Sequence, residues 1–459
     1  MASLLSKERI IAGPGFNRWL VPPAALAIHL SIGQAYAFSV FKLPLTKVLG
    51  ITEPAPGDWS QTQLAWCFTL AIVFLGLSAA VFGRWLEKVG PRRSGVTAAL
   101  CWGTGFLLSA VAVRTHQLWL LYLGYGVIGG CGLGLGYITP VSTLIKWFPD
   151  RRGLATGLAI MGFGGGAMIA SPLSQLLMER FASPVSVGVA ETFLFLGSVY
   201  LVAMLLGAFL FRLPAPGWRP AGWTPPAPSA TALVSGHHVH VTTATRTRPF
   251  WLLWGVLFLN VTAGIGILEQ ASPMIQEIFR PGVTAVAASG FVGLLSLFNM
   301  GGRFFWASLS DRLGRKRTYV IFFTLGPLLY AAIPFAGAAG SVPLFVGACA
   351  LILTMYGGGF ATIPAYLADI FGTQFVGAIH GRLLTAWSCA GVAGPVLVNY
   401  IREFQLARGV PAAQAYNVTM FVMAGLLLAG LACNLAVRPV ESRHHMTDEE
   451  LAAERAAKG

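Results

Sequence analysis

Long apolar runs separated by short polar or basic connections repeat along the whole chain. A helix crossing the hydrocarbon of a bilayer needs about 20 apolar residues. On that measure the pattern predicts twelve spans, near 19–41, 62–86, 94–113, 118–145, 151–178, 190–211, 250–274, 285–309, 318–336, 342–369, 375–401 and 414–437. Between the sixth and seventh lies a polar, proline-rich segment containing PAPGWRPAGWTPPAPS, too irregular to span. The expected architecture is all-α and membrane-integral. It comprises two pseudo-symmetric six-helix bundles over 1–211 and 250–437, a linker at 212–249 and a tail at 438–459.

Composition supports that class. Hydrophobic residues make up 55% of the chain and charged ones 10%, against roughly 25% charged in ordinary soluble domains. The 55 glycines suit helices that associate in lipid by close backbone approach. The net charge of +14 would point to nucleic acid in a soluble chain. Here the basic residues sit in short connections with no stripe on a folded face, so no nucleic-acid partner is expected. Of the 31 Lys and Arg, 22 fall in the N-terminal segment, every second connection and the tail, and 7 in the opposite connections. Both termini are therefore expected in the cytoplasm, with a bacterial inner membrane as the location. The apolar stretch after Arg18 ends in no small-residue cleavage pattern and is expected to stay as the first helix. All six cysteines lie in apolar runs, which argues against a disulfide framework or a zinc site.

The halves repeat each other at one offset. GRWLEKVGPRR at 83–93 aligns with ASLSDRLGRKR at 307–317, pairing Glu87 with Asp311 and Gly90 with Gly314. The same offset pairs Pro140 with Pro364, Gly153 with Gly377 and Gly157 with Gly381, as a duplication would. Acid and base recur in both copies, although positive-inside topology requires no acid. Asp311, Arg312, Arg315, Glu87, Arg92 and Arg93 are thus the expected parts of a cytoplasmic latch that breaks when the halves rock.

These segments resemble the Gly-x-x-x-Asp-Arg-x-Gly-Arg-Arg pattern of the major facilitator superfamily. The first copy departs from it, with Glu87-Lys88 for Asp-Arg and Pro91 before Arg92, so the latch is expected to be tighter around Asp311. GQAYAFSVFKLPL at 33–45, GLGYITPVSTLIKWFPDRRGLATGLAIMGFGGGA at 134–167 and HGRLLTAWSCAGVAGP at 380–395 resemble, more narrowly, the oxalate/formate antiporter family, which is related to the monocarboxylate transporters. In the long middle motif Trp147-Phe148-Pro149 is expected to end the fourth helix, Asp150 to cap the fifth, and Arg151-Arg152 to hold its start at the interface.

Arg303 carries the substrate reading. It lies eight residues before Asp311, about 12 Å inside the membrane edge at 1.5 Å per residue, which is close to the midplane. A guanidinium there costs roughly 3 to above 10 kcal/mol, so it should face a wet cavity or a counter-charge. Ala79 stands at the matching position of the first half. Ser296 and Asn299 share the helical face of Arg303, a polar stripe suited to a carboxylate. The resemblance implies that an arginine at this position binds the substrate carboxylate. It also implies a lysine in the eleventh helix for the oxalate antiporter, and the aligned residue is Trp387. With one compensating charge missing, a monocarboxylate such as formate, lactate, pyruvate or a hydroxy acid is expected over oxalate. Arg382, five residues nearer the cytoplasm, is either a substitute charge or an anchor.

Tyr137 and Tyr36 fall in the motifs that the family turns toward substrate, and a phenol can donate to a carboxylate. Tyr356 and Trp387 complete the expected lining, and Asn260 lies at similar depth. Glu269 and His29 are the candidates for coupling to H+; Glu269 has a competing reading as a solvated acid at the periplasmic mouth, and His29 as a plain hydrogen-bonding residue. His237, His238 and His240 lie in the linker without an acid or cysteine beside them, so no metal is expected. GGCGLGLG at 129–136 follows no strand and reads as helix packing, while MTDEELAAER near the end reads as a capped soluble helix. No cofactor and no covalent chemistry are expected. The reading is a monomeric carrier of a small carboxylate anion working by alternating access, with exchange and proton symport both open. An oxalate/formate exchanger, a drug-type efflux carrier and a non-transporting carboxylate sensor are the rivals.

Overall fold

The computed structural model describes residues 4–224 and 237–456. Helices and short connections make up the described chain, with only two isolated β-bridges, Ile11 to Leu213 and Ser183 to Ser186. Ten helices in the described residues are long and apolar enough to cross a membrane. They include α2 (Gln61–Val89), α3 (Pro91–Arg114), α4 (Leu118–Trp147), α5 (Arg152–Phe181), α6 (Val189–Leu210), α7 (Arg248–Ile278), α9 (Arg315–Ala338), α10 (Val342–Phe371), α11 (Val376–Ala407) and α12 (Ala412–Ala436). The first and eighth predicted spans complete twelve. The first starts as α1 (Val21–Ile32), tightens into a 3-10 segment at Gly33–Ala37 and resumes at Ser39–Leu45 around Pro44. The eighth, α8 (Ala285–Leu313), carries Arg303, Asp311 and Arg312 in its second half.

Gly90 and Gly314 link α2 to α3 and α8 to α9 with φ of 85° and 87°. Only glycine takes that conformation at little cost, and the two positions are those paired by the internal repeat. Two seams join the halves: α5 lies along α8, and α2 lies along the first turns of α11. Small residues make both close. A Cβ at Gly153 or Gly157 would meet the α8 backbone at Ala307 or Arg303, and one at Gly381 would meet Ala79. Such packing is how helices associate where water gives no hydrophobic drive.

N- and C-terminal segments lie on one face of the bundle: Lys7 donates to the Glu87 carbonyl at 3.2 Å, and the Met446 N–H donates to the His238 carbonyl at 2.9 Å. We call this the terminal face. Residues 225–236 of the proline-rich segment lie outside the described residues. The part that follows packs in place, with the Val239 N–H on the Phe371 carbonyl at 3.0 Å and a short helix at Val241–Ala244. In the tail, Thr447 and Glu450 exchange side-chain and backbone hydrogen bonds at 2.9 and 3.2 Å, the capping box expected there. The six cysteines are free thiols.

Candidate functional site

Arg303 is fully buried in the bundle centre. Its Nε donates to Asn299 Oδ1 at 3.1 Å, one helical turn back on the expected stripe, and Nη1 reaches the Ile160 carbonyl of α5 at 3.5 Å. Nη2 has no partner among the described residues, and neither does Arg303 have an acidic one. The guanidinium lies between the rings of Phe163 and Phe360, 5.7 and 5.4 Å from their centroids. An aromatic pair offers some cation–π attraction, which is no substitute for a counter-ion in a dry interior. Ser296, farther along the stripe, spends its hydroxyl on the Val292 carbonyl.

Tyr36, Tyr137, Tyr356 and Trp387 converge on this group. The break in the first span at Gly33–Ala37 turns Tyr36 inward, where its hydroxyl meets that of Tyr356 across the halves at 3.4 Å. Trp387 packs on Phe360, Tyr137, Phe163 and Tyr36 with centroid distances of 4.4, 5.3, 5.6 and 6.3 Å. Arg303 lies close enough to Tyr36 and Tyr137 to interact electrostatically with both phenols, yet bonds to neither with good geometry. The Tyr137 hydroxyl and Trp387 Nε1 are buried without hydrogen-bond partners among the described residues. Tyr36 is partly exposed, while Tyr137, Tyr356, Trp387 and Asn299 are buried.

Three residues found here escaped the sequence reading. Phe163 and Phe360 read as ordinary apolar positions, with nothing local to single them out. His380 opens the HGRLLTAWS motif, and it sits buried beside Tyr137 at a ring distance of 5.8 Å. His29 serves as a brace: its ring nitrogens meet the carbonyls of Ala159 and Tyr137, tying α1 to α5 and α4. The side chain of Glu269 lies outside the described residues. Asn260 lines a small separate pocket with Gly264, Tyr330 and Tyr356. Arg382 stays off the cluster and donates to the Val241 carbonyl and Thr245 Oγ1 at 3.0 and 3.2 Å, the anchor alternative.

A polar network closes the terminal face. Asp311 accepts the Gly153 and Leu154 N–H groups at the start of α5, both at 2.8 Å, and pairs with Arg315. Asp369 joins Arg152 at 2.8 Å and Arg315 at 3.1 Å. At the other seam Glu87 accepts the Gly377 N–H at 3.0 Å and pairs with Lys146. The two acids thus cap the helix of the opposite half, each at the residue its repeat partner predicts. Asp150, expected to cap α5, instead takes a bidentate bond from Arg18 at 2.6 and 2.8 Å. Burial works to raise its pKa, and the Arg18 bond outweighs this and holds it below the usual carboxylate value. Of the other expected latch residues, Arg92 donates to the carbonyls of Leu4 and Phe209, while Arg93 and Arg312 are exposed. Lys146, Arg152 and Asp369 take the places expected of them. The linker histidines are dispersed: His237 stacks on His445, and His240 bonds Thr242.

The sequence model described as Major Facilitator Superfamily matches residues 15–395 and 303–456. The oxalate:formate antiporter of Oxalobacter formigenes is 27% identical over 379 residues, 82% of this chain and 83% of the relative. Human monocarboxylate transporter 11 is 28% identical over 411 residues, 85% and 79% of the two chains, and apicoplast pyruvate carrier 1 of Toxoplasma gondii is 26% identical over 446, 85% and 78%. Among solved structures, the E. coli fucose:proton symporter superposes with a TM-score of 0.65 at 16% identity, covering 91% of this chain and 99% of that one. At that identity the likeness speaks for the fold. A family match across nearly the whole length, on a bundle of this architecture, makes the chain a member of the Major Facilitator Superfamily, a membrane transporter and not an enzyme.

Proposed function

We propose that this transporter carries a small carboxylate, preferably a monocarboxylate, and that Arg303 binds it. The observation that carries the reading is a fully buried arginine, near mid-bilayer by helical rise, that has no acidic partner and one unpaired guanidinium nitrogen among the described residues. A buried cation locked to an acid would be structural; one without a counter-ion is a binding group for an anion. The Tyr137 hydroxyl and Trp387 Nε1, both buried donors without partners among the described residues, would orient the carboxylate, since buried donors in native proteins are normally paired. Tyr36, Tyr356 and Asn299 complete the lining. The relatives named for oxalate, formate, pyruvate and monocarboxylates favour the same substrate class.

Trp387 supports the finer choice. At the place where the oxalate antiporter resemblance implies a lysine, an indole adds bulk and a single N–H without charge. One arginine balances one carboxylate, and a dianion would leave a buried negative charge uncompensated.

The gate supports alternating access between two six-helix bundles, 1–211 and 250–437, connected by 212–249 and followed by the 438–459 tail. Opening the terminal face requires breaking the Asp311, Asp369 and Glu87 bonds together. Positive-inside counting puts that face in the cytoplasm, in a bacterial inner membrane, with a monomer as the working unit. A drug-efflux carrier has no need of a buried, unpaired arginine. The test is counterflow in proteoliposomes with labelled formate, lactate, pyruvate and oxalate. Monocarboxylates should exchange faster than oxalate, and a protein moving apolar cations but no carboxylate refutes the reading.

A further inference from the structure

His380 is 1% exposed, and neither of its ring nitrogens has a partner among the described residues. A neutral imidazole carries one donor and one acceptor, and a charged one carries two donors. Buried polar groups in native proteins are paired, so His380 is built to meet something beyond the side chains around it. Its ring lies 5.8 Å from that of Tyr137, and Tyr137 packs on Trp387, so His380 borders the carboxylate site. His29 also lies beside Tyr137, at 5.4 Å, and its two nitrogens face the carbonyls of Ala159 and Tyr137, to one of which a neutral ring donates.

Among the described residues, the charged groups on the helices around His380 are committed elsewhere or exposed. On α2, Arg84 pairs with Glu454 and Glu87 pairs with Lys146 of α4, while Lys88 is exposed. On α10, Asp369 pairs with Arg152 and Arg315, Tyr366 bonds Asn434, and Tyr356 bonds Tyr36. Arg382 on its own helix is tied to Val241 and Thr245, and Arg248 of α7 is exposed. The titratable group felt at His380 is His29, and the charge of Arg303 is felt in turn at Tyr137 and His29.

We propose that His380 is the proton carrier of the transport cycle. It takes a proton from hydronium as the carboxylate enters, one O–H bond breaking as one N–H bond forms, and returns it to water as hydronium on the opposite side as the carboxylate leaves. One proton thus crosses with each monocarboxylate, which is itself unchanged. The empty site holds the single positive charge of Arg303. Carboxylate alone would cancel it; carboxylate with protonated His380 restores it, so loaded and empty carriers move the same charge and the cycle is electroneutral. The assignment rests on carboxylate binding at Arg303.

The test uses the whole protein in liposomes with labelled lactate, comparing the native chain with His380→Gln, which keeps an N–H donor and cannot titrate. The native protein should concentrate lactate when the outer medium is acid. The variant should exchange lactate in counterflow at a rate within a fewfold of native and show no concentration. Accumulation by the variant equal to native overturns the proposal. Where the variant fails to exchange at all, a pH dye decides on the native protein in weakly buffered detergent: about one proton taken up per lactate bound supports the assignment, and none overturns it. Native protein that moves no carboxylate defeats the Arg303 reading first, and the two failures are therefore distinct.

Discussion

Asp311 caps Gly153 across the boundary between the two halves, its Oδ1 accepting the Gly153 N–H at 2.8 Å. The opposite half returns the contact, Glu87 accepting the Gly377 N–H at 3.0 Å. A helix N-terminus carries unpaired N–H groups and partial positive charge. Supplying the cap from the other half makes the cap itself the lock: it exists only while the terminal face is shut.

Asp311→Asn should therefore weaken the closed state. Hydrogen bonds to charged groups contribute about 1.5–3 kcal/mol, so the balance should move roughly tenfold to a hundredfold toward opening on the terminal face. Labelling of a cysteine placed at Ala307, where α5 covers α8, should speed up accordingly, and steady uptake should fall. Labelling at the native rate contradicts the lock.

Removing the Tyr137 hydroxyl separates function from fold. That oxygen has no hydrogen-bond partner among the described residues, so Tyr137→Phe should leave the melting temperature unchanged. It should raise the KM for a monocarboxylate about tenfold, the loss of one hydrogen bond to a charged group. A fall of several degrees in melting temperature with an unchanged KM would place the hydroxyl in packing.

The span pattern, the repeat and the central Arg303 were readable from the chain because each depends on local sequence: apolar length, a fixed offset, a charge at a countable depth. The expected convergence of Tyr36, Tyr137 and Trp387 rests on motif resemblance, and Tyr356 is placed with them without a motif, since four helices far apart in sequence supply the cluster. Partner choice in the gate was less readable. Arginines beside Glu87 and Asp311 looked like its partners, yet Arg92, at the start of α3, turns to the carbonyls of Leu4 and Phe209. Asp369 reads as one acid at the end of an apolar helix, and only the packing of α10 against α5 brings it to Arg152. His380 was hidden for the same reason, its significance lying in what surrounds it.

Acid should loosen the start of α5 through Asp150. The Arg18 bond holds its carboxyl below the ordinary value of about 3.9. A depressed carboxylate stabilises the fold above the unfolded value and loses that contribution as pH falls through the lower, folded one. Thermal unfolding in detergent from pH 7 down to below 4 should show a stability loss that Asp150→Asn lacks, the variant being less stable at neutral pH. Parallel curves for the two proteins contradict the pairing.

Trp387→Lys should change selectivity. A second cation beside Arg303 supplies the charge a dianion lacks, so oxalate uptake relative to formate should rise at least tenfold. Stability should drop, because the indole packs against four rings. An unaltered ratio, in a variant that still transports formate, argues that charge count does not set the preference.

Carboxylate binding to purified Arg303→Gln, measured by calorimetry beside the native protein, tests the central claim most directly. Binding should be lost, at least a hundredfold weaker, while helix content and monomer elution stay native. A variant that binds formate or lactate as tightly as the native chain contradicts the account and takes the anion assignment with it.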